Sequence, residues 1–490
     1  MKTLYKISFC LLLSLVSLSC KKWVDVKPND RLGEDQLFIN KEGFMKALNG
    51  VYIEMASPSL YGQNMTTGAV DVLAQYYYLN SSVHTFYNYT TFVYTDANVK
   101  VTFDNTWKKA YELVANCNVI LEKCGEAPSE ALPEPYFSII KGEALALRAM
   151  LHLDMLRLFG PIYSEDNKAK PAIPYVNKTG YAVSPISGSE KVMELVVSDL
   201  NSALLLLEKT DPIRTEGVKN VANTAGPNDL YFRQYRLNYY AAKALLARAY
   251  LWQGKKTEAL TQAEAILNEV QTPTKTVFPY VTFAAATSVD KPDRMFTTEV
   301  MFSLYTINRV QMHNRLFDEN LQPNSKLSFS AQDVSVVRVN SIYDDANDYR
   351  RRVWQSASSG TVTSTTNMKF ADILDGPGRY MMPLIRISEV LLIAAECQPD
   401  LAKGTEYFNK LRTVRNCVSL TPTTLPLLKV EIGKEYRREM LGEGQQFFFY
   451  KRNSYLSVPN HATVAITPEK AMLLNNYTVP LPDSEISLRK

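Results

Sequence analysis

Between Tyr239 and Val270 the chain carries two apolar stripes of helical period joined by a glycine turn, and this feature restricts its fold most. Ala241, Leu245 and Ala249 recur at i, i+4 and i+8, with Ala242, Leu246 and Tyr250 beside them. Gly254 ends the first stripe, and Ala259, Ala263, Ile266 and Val270 form the second. Small residues at the facing positions let the two helices approach closely. Such a pair cannot bury its own apolar face, so it needs stacked neighbours.

Neighbours of that kind are present. A pair of this size resembles one tetratricopeptide (TPR) unit, whose period is about 34 residues. Ser189 to Lys209 is helical in pattern and fits against Ile139 to Phe159. Arg386 to Cys397, a Pro399-Asp400 turn and Lys403 to Arg415 form a further pair. Glu42 to Met55 and Phe103 to Lys123 add two more helices. In Ile139–Phe159, leucines 147, 151, 153, 156 and 158 occupy more than one face, which predicts a helix surrounded by others until Gly160-Pro161 stops it. The expected fold class is mainly α: TPR-like stacked helix pairs decorated with long loop-rich insertions and a few short strands. The scaffold is expected in 42–55, 103–159, 189–209, 233–270 and 386–452, within a single domain over 20–490.

The insertions 57–101 and 272–381 are rich in Thr, Ser, Asn, Tyr and Pro, with β-like runs such as Val300–Tyr305. Loops this long in a compact domain are usually functional when present, and a rigid scaffold is the ordinary support for binding loops. The 29 tyrosines and four tryptophans are the unusual part of the composition. Sugar rings stack on aromatic faces while amides and charged groups take their hydroxyls, the general logic of a small-molecule site. Candidate ligand contacts are Tyr77, Tyr87, Asn88, Tyr89 and Trp107, with Tyr305 and Trp354 from the second insertion. The competing reading is that these rings pack the core.

Catalytic signatures are absent from the pattern. His84, His152, His313 and His461 are scattered, without a His-Glu-x-x-His or a Cys/His cluster. There is no Gly-x-Ser-x-Gly elbow and no phosphate-cradling glycine loop. No catalytic residue, metal or cofactor is therefore expected; a surface glycoside hydrolase stays as a remote alternative, because any two carboxylates can meet in space. His152, on an apolar helix between Arg148 and Asp154, reads as structural. Asp344-Asp345-Ala346-Asn347-Asp348 has oxygen ligands but lacks the spacing of a calcium loop. The net charge of +4 gives no nucleic-acid surface.

Six cysteines are present. Cys117 and Cys124 lie seven apart on a helix, about 10 Å along its axis, beyond the reach of a disulfide. Cys397 and Cys417 fall at opposite ends of antiparallel helices. Four buried free thiols are expected. Met1–Ser19 has a basic start (Lys2, Lys6) and an apolar run from Ile7 to Leu18 too short to span a bilayer, which reads as a signal peptide. Leu15-Val16-Ser17-Leu18-Ser19-Cys20 resembles a lipobox, with Cys20 as the lipidation site.

Read end to end, the landmarks resemble the SusD/RagB family of outer-membrane lipoproteins. Cys20 to Pro28 and Phe44 to Tyr52 resemble its mature start. Trp107, Tyr111, Asn116 and Asn118 match a helix landmark, as does Glu143 to Pro161. Pro383 to Glu396 is the most specific stretch, followed by Asn409-Lys410-Leu411-Arg412, Glu439 through Gly444 and Val479-Pro480-Leu481-Pro482. The C-terminal signature departs from the pattern: Tyr436 stands where Arg is expected, and Gln446 and Phe449 where Arg and Asp are expected. The resemblance implies a non-enzymatic, cell-surface protein, lipid-anchored in the outer membrane. It would bind glycans, or peptides in the alternative, and pass them to a SusC-like TonB-dependent transporter.

Overall fold

The computed structural model describes residues 34–272, 274–331, 335–359 and 362–489. The expected signal segment 1–19 and the expected lipidation site Cys20 lie outside the described residues. The main helices are α1 (Lys41–Met55), α2 (Ala97–Cys124), α3 (Tyr136–Phe159), α4 (Ser189–Thr210), α5 (Tyr239–Trp252), α6 (Lys256–Val270), α7 (Arg309–Leu316), α8 (Ile387–Cys397), α9 (Leu401–Val414), α10 (Leu425–Glu439) and α11 (Gln446–Arg452). Polar side chains start several of them by accepting free backbone N–H groups: Asn40 for α1, Asp96 for α2, Asn238 for α5, Asp400 for α9 and Thr424 for α10. Asp96 explains why α2 begins at Ala97, earlier than its apolar period alone suggests.

The helices stack in chain order, α2 on α3, α3 on α4, α4 on α5, α5 on α6, α6 on α8 and α8 on α9 and α10. This is the TPR-like arrangement expected from the helix pairs. Gly254 makes the α5–α6 turn with φ +74°, a left-handed conformation that glycine adopts without strain. Gly142 serves a different need: a Cβ there would stand 2.8 Å from Leu207 Cγ, so α3 and α4 approach closely enough that a larger residue would have to displace the Leu207 side chain.

Helix α3 is enclosed along nearly its whole length, and of its residues only Tyr136 and Lys141 escape burial. Its charged side chains therefore need partners. Arg148 is bidentate to Asp199 at 2.7 Å on both arms, Glu143 accepts from Tyr52 at 2.6 Å and pairs with Arg233, and Asp154 accepts from Tyr61 at 2.7 Å and pairs with Arg157. His152 lies stacked on Tyr175, 3.9 Å between centroids. Its Nδ1–H donates to the Arg148 carbonyl (2.9 Å) and its Nε2 accepts from Val176 N–H (3.0 Å), a satisfied core histidine.

Strands are short. β1 (Pro171–Pro174) pairs with β2 (Ile186–Gly188), β3 (Val300–Tyr305) is joined later in the chain by β7 (Met381–Arg386), and β8 (Ser457–Pro459) pairs with β9 (Glu469–Ala471). Between β3 and β7 the second insertion folds a three-stranded antiparallel sheet from β4 (Ser328–Ala331), β5 (Trp354–Ser359) and β6 (Val362–Asn367), in the order β4–β6–β5. One row of this sheet runs Ser328, Thr366, Gln355.

Buried ionic groups join this insertion to the helices. Glu439, at the end of α10, meets Arg350 at 2.7 Å and Arg415 at 2.6 Å, and it also pairs with Arg386. Arg415 reaches Glu299 at 2.6 Å, and Arg386 and Lys369 both reach Glu443, at 2.8 and 2.7 Å. The three guanidiniums hold the Glu439 carboxyl well below the usual carboxylate range. Arg338 is fully buried with no carboxylate partner among the described residues. It donates to the carbonyls of Gln75, Tyr76 and Tyr77 and of Asn460 and Thr463, so it ties the second insertion to the first. The Asp344–Asp348 run is occupied in the same way: Asp344 faces Arg412 and Arg438, Asp345 accepts from Asn347 and Val418 N–H, and Asp348 pairs with Arg350. Among the described residues no group of His, Cys, Asp and Glu gathers in a metal-holding arrangement.

The departures at Tyr436 and Phe449 lie side by side, their rings 4.7 Å apart. An aromatic contact occupies the place where the family pattern has two charges. Gln446 is less well served, because both its amide atoms are buried without a hydrogen-bond partner among the described residues. Cys117, Cys124, Cys397 and Cys417 are buried free thiols. No helix among the described residues is long and apolar enough to cross a membrane.

Candidate functional site

Four of the seven candidate contacts are core residues, which corrects the sequence reading. Tyr77 is 0% exposed and packs against Phe317 and Trp354. Trp354 stacks on Phe329 at 3.4 Å and donates its indole N–H to Tyr343. Trp107 fills the space between Phe159 and Tyr111 and donates to Glu485. Tyr89 is buried with its hydroxyl 2.7 Å from Thr102. Burial leaves these rings no free face for a sugar. Tyr87 and Asn88 are half-buried, with the Tyr87 ring edge-on to His461. Tyr305 is 53% exposed at the end of β3, beside Tyr235 (5.5 Å) and Tyr380 (5.2 Å).

A different part of the same insertions forms a cavity. Residues 78–84 of the first insertion and 322–328 of the second enclose about 350 Å³, with Ser364 of β6 at its floor. The backbone alternates here: Tyr77 and Leu79 are buried, while Tyr78 and Asn80 face outward. Asn80 Nδ2 donates to the Tyr78 hydroxyl at 2.6 Å, which places an amide beside a ring.

The two walls are bonded to each other. Tyr78 N–H donates to Ser328 O (2.9 Å) and Thr85 N–H to Asn324 O (2.9 Å). His84 Nδ1 accepts from Phe86 N–H (3.1 Å), and its Nε2 lies 3.2 Å from Lys326 O, so the neutral ring with its proton on Nε2 satisfies both contacts. Burial lowers the His84 pKa, which keeps that neutral form at pH 7. Lys326 donates its ammonium to Glu319 O (2.7 Å) and Ser364 Oγ (3.1 Å). Burial also lowers its pKa. An ammonium has three donors, so one is left over among the described residues.

The lining is thus a tyrosine ring, the Asn80, Gln322 and Asn324 amides, hydroxyls, an imidazole and one cation. Among the described residues no carboxylate lines it. Tyr78, Asn80, His84, Gln322, Asn324 and Lys326 were not anticipated from sequence. The signal that points to Tyr78 is the period-two alternation after Tyr77; nothing in the sequence brings residues 322–326 to it.

Comparison with known proteins agrees with the fold. A SusD-like family model described as "Starch-binding associating with outer membrane" matches residues 22–251, and the SusD family model matches residues 355–489. SusD-like protein P25 of Formosa agariphila is 23% identical over 218 residues, which span 41% of this chain and 37% of that relative. A SusD superfamily protein from Bacteroides thetaiotaomicron superposes with a TM-score of 0.70 at 21% identity, covering 92% of this chain and 98% of that one. A SusD-like carbohydrate binding protein from Bacteroides vulgatus gives 0.67 at 18% identity, covering 92% and 96%. Surface glycan-binding protein A from Bacteroides thetaiotaomicron gives 0.64 at 16% identity, covering 92% and 98%. With the stacked helix pairs, the two matched regions and these folds in agreement, the chain belongs to the SusD/RagB family.

Proposed function

We propose that this protein captures an oligosaccharide at the cell surface and releases it unaltered to a SusC-like TonB-dependent transporter, anchored meanwhile through acyl chains on Cys20. The observation that carries this reading is the cavity between residues 78–84 and 322–328. Its one partly exposed ring, its amides and its hydroxyls suit sugar faces and sugar hydroxyls. The wall residues bond to each other through main-chain groups, so the site is organised before any ligand arrives, which reduces the ordering cost of binding. The family's outer-membrane description and the glycan-binding name of one structural neighbour support the same reading. Tyr305, Tyr87 and Asn88 remain candidates for the outer part of the surface.

A peptide ligand is the second reading. Among the described residues the outer edge of β5 has no strand partner, and an extended peptide adds to such an edge by main-chain hydrogen bonds. Glycan and peptide arrays probed with the full chain separate the two. Glycan capture is supported by oligosaccharide binding that Tyr78→Ala weakens; binding only to peptides overturns it. Co-purification with an outer-membrane barrel tests the transporter.

A further inference from the structure

A second cavity of about 380 Å³ lies between residues 286–296 and the stretch from Tyr349 to Gln355 that leads into β5. Its chemistry differs from that of the first. Arg294 and Arg352 line it, and among the described residues neither guanidinium has a carboxylate within ion-pair distance. Arg294 is partly buried and, among the described residues, makes one hydrogen bond, from Nη1 to Met368 O at 2.8 Å. Arg352 is exposed, lies 5.9 Å over the half-exposed Phe283 ring and donates to Thr287 O at 3.3 Å.

Arg148, Arg248, Arg350 and Arg452 are bound to acids, and Arg338 is surrounded by carbonyls. Arg294 has neither arrangement. Burial lowers its pKa, and among the described residues no ion pair offsets its charge. Asp293 is the carboxylate lining the cavity, and it is already engaged by the Thr297 N–H (2.9 Å), the Thr297 hydroxyl (2.7 Å) and the Met295 N–H. Arg350, also in the lining, is neutralised by Asp348 and Glu439.

We infer that this cavity takes the anionic substituent, a carboxylate or a sulfate ester, of an acidic oligosaccharide, with Arg294 and Arg352 as its ligands. The inference rests on the glycan reading above and names the ligand class. Planar guanidiniums suit both oxyanions because they present paired N–H donors.

The test is calorimetry on the mature full-length chain with three probes of equal length: a galacturonate hexasaccharide, a sulfated galactan hexasaccharide and a neutral galactan hexasaccharide. The expected result is that one anionic probe binds at least about tenfold tighter than the neutral one, as one charge-assisted hydrogen bond allows. Arg294→Met and Arg352→Met should each remove about tenfold of that affinity and leave the neutral probe unaffected. Arg352 is on the surface, so its variant reports even where Arg294→Met fails to fold. Which anionic probe responds tells the carboxylate from the sulfate. Neutral binding equal to both anionic probes, or anionic binding unchanged in Arg352→Met and in a folded Arg294→Met, overturns the inference and leaves glycan capture standing. An absence of binding to every glycan on a broad array overturns both.

Discussion

His84 and Lys326 meet through one hydrogen bond, imidazole Nε2 to main-chain oxygen at 3.2 Å, which fastens the first insertion to the second. Replacing His84 by Ala removes that bond and leaves the Phe86 N–H without its acceptor. The expected stability loss is about 1–2 kcal/mol. Oligosaccharide affinity should fall with it, because residues 78–84 form one wall of the cavity. Thermal denaturation and calorimetry on the same variant measure both.

Adjacent tyrosines should behave oppositely. Tyr77 is fully buried against Phe317 and Trp354, so Tyr77→Ala should cost about 3–5 kcal/mol of stability, as for other large core rings. Tyr78 lines the cavity. Tyr78→Ala should leave the melting temperature nearly unchanged and weaken glycan binding by about 0.5–1.5 kcal/mol beyond lost area. A ligand titration beside a melting curve for each variant distinguishes the two roles.

Acid should destabilise the fold before its carboxylates titrate. Burial lowers the pKa of His152 to about 3 and of His461 to about 4, and lowers that of His84. The unfolded chain then binds more protons than the folded one between roughly pH 6.5 and these values. Stability is therefore full above pH 6.5 and falls as pH drops toward 4. For the fully buried His152, going from pH 7 to 5 costs about 2 kcal/mol. His152→Gln, compared with the parent by urea denaturation at both pH values, should show a shallower pH dependence.

Glu439 is the point where three arginines converge. Glu439→Gln leaves Arg350, Arg386 and Arg415 short of a counter-charge in a buried site. A cost of about 3–5 kcal/mol is expected, the usual result of breaking a buried pair from one side. Lower expression yield and a lower urea midpoint are the readouts.

The four buried thiols should resist alkylation. Burial pushes Cys117, Cys124, Cys397 and Cys417 each up to about 12, which leaves almost no thiolate at pH 8. Iodoacetamide followed by mass spectrometry should label them only after denaturation.

The helical frame was legible because its code is local. Tyr239–Trp252 and Lys256–Val270 are found with the bounds their periodicity predicts, and the buried α3 follows from leucines on several faces. The cavity was much less so. Tyr77 and Tyr78 are the same residue type one position apart, and only the strand-like alternation of the folded backbone turns one inward and the other outward. Counting aromatics therefore selected Tyr77, Trp107 and Trp354, whose rings the core uses. Arg338, which fixes the second insertion to the first through carbonyls of residues 75–77 and also holds the Asn460 and Thr463 carbonyls, leaves no sequence signal, because its partners are main-chain oxygens.

Ser328 borders one cavity and Gln355 the other, on a single row of the β4–β6–β5 sheet. Two strand spacings, about 10 Å, separate them. A single sugar ring does not bridge that gap, so cargo engaging both cavities has to be an oligomer. Under the proposed capture, a fragment long enough to reach both cavities is favoured over a monosaccharide, which reaches only one.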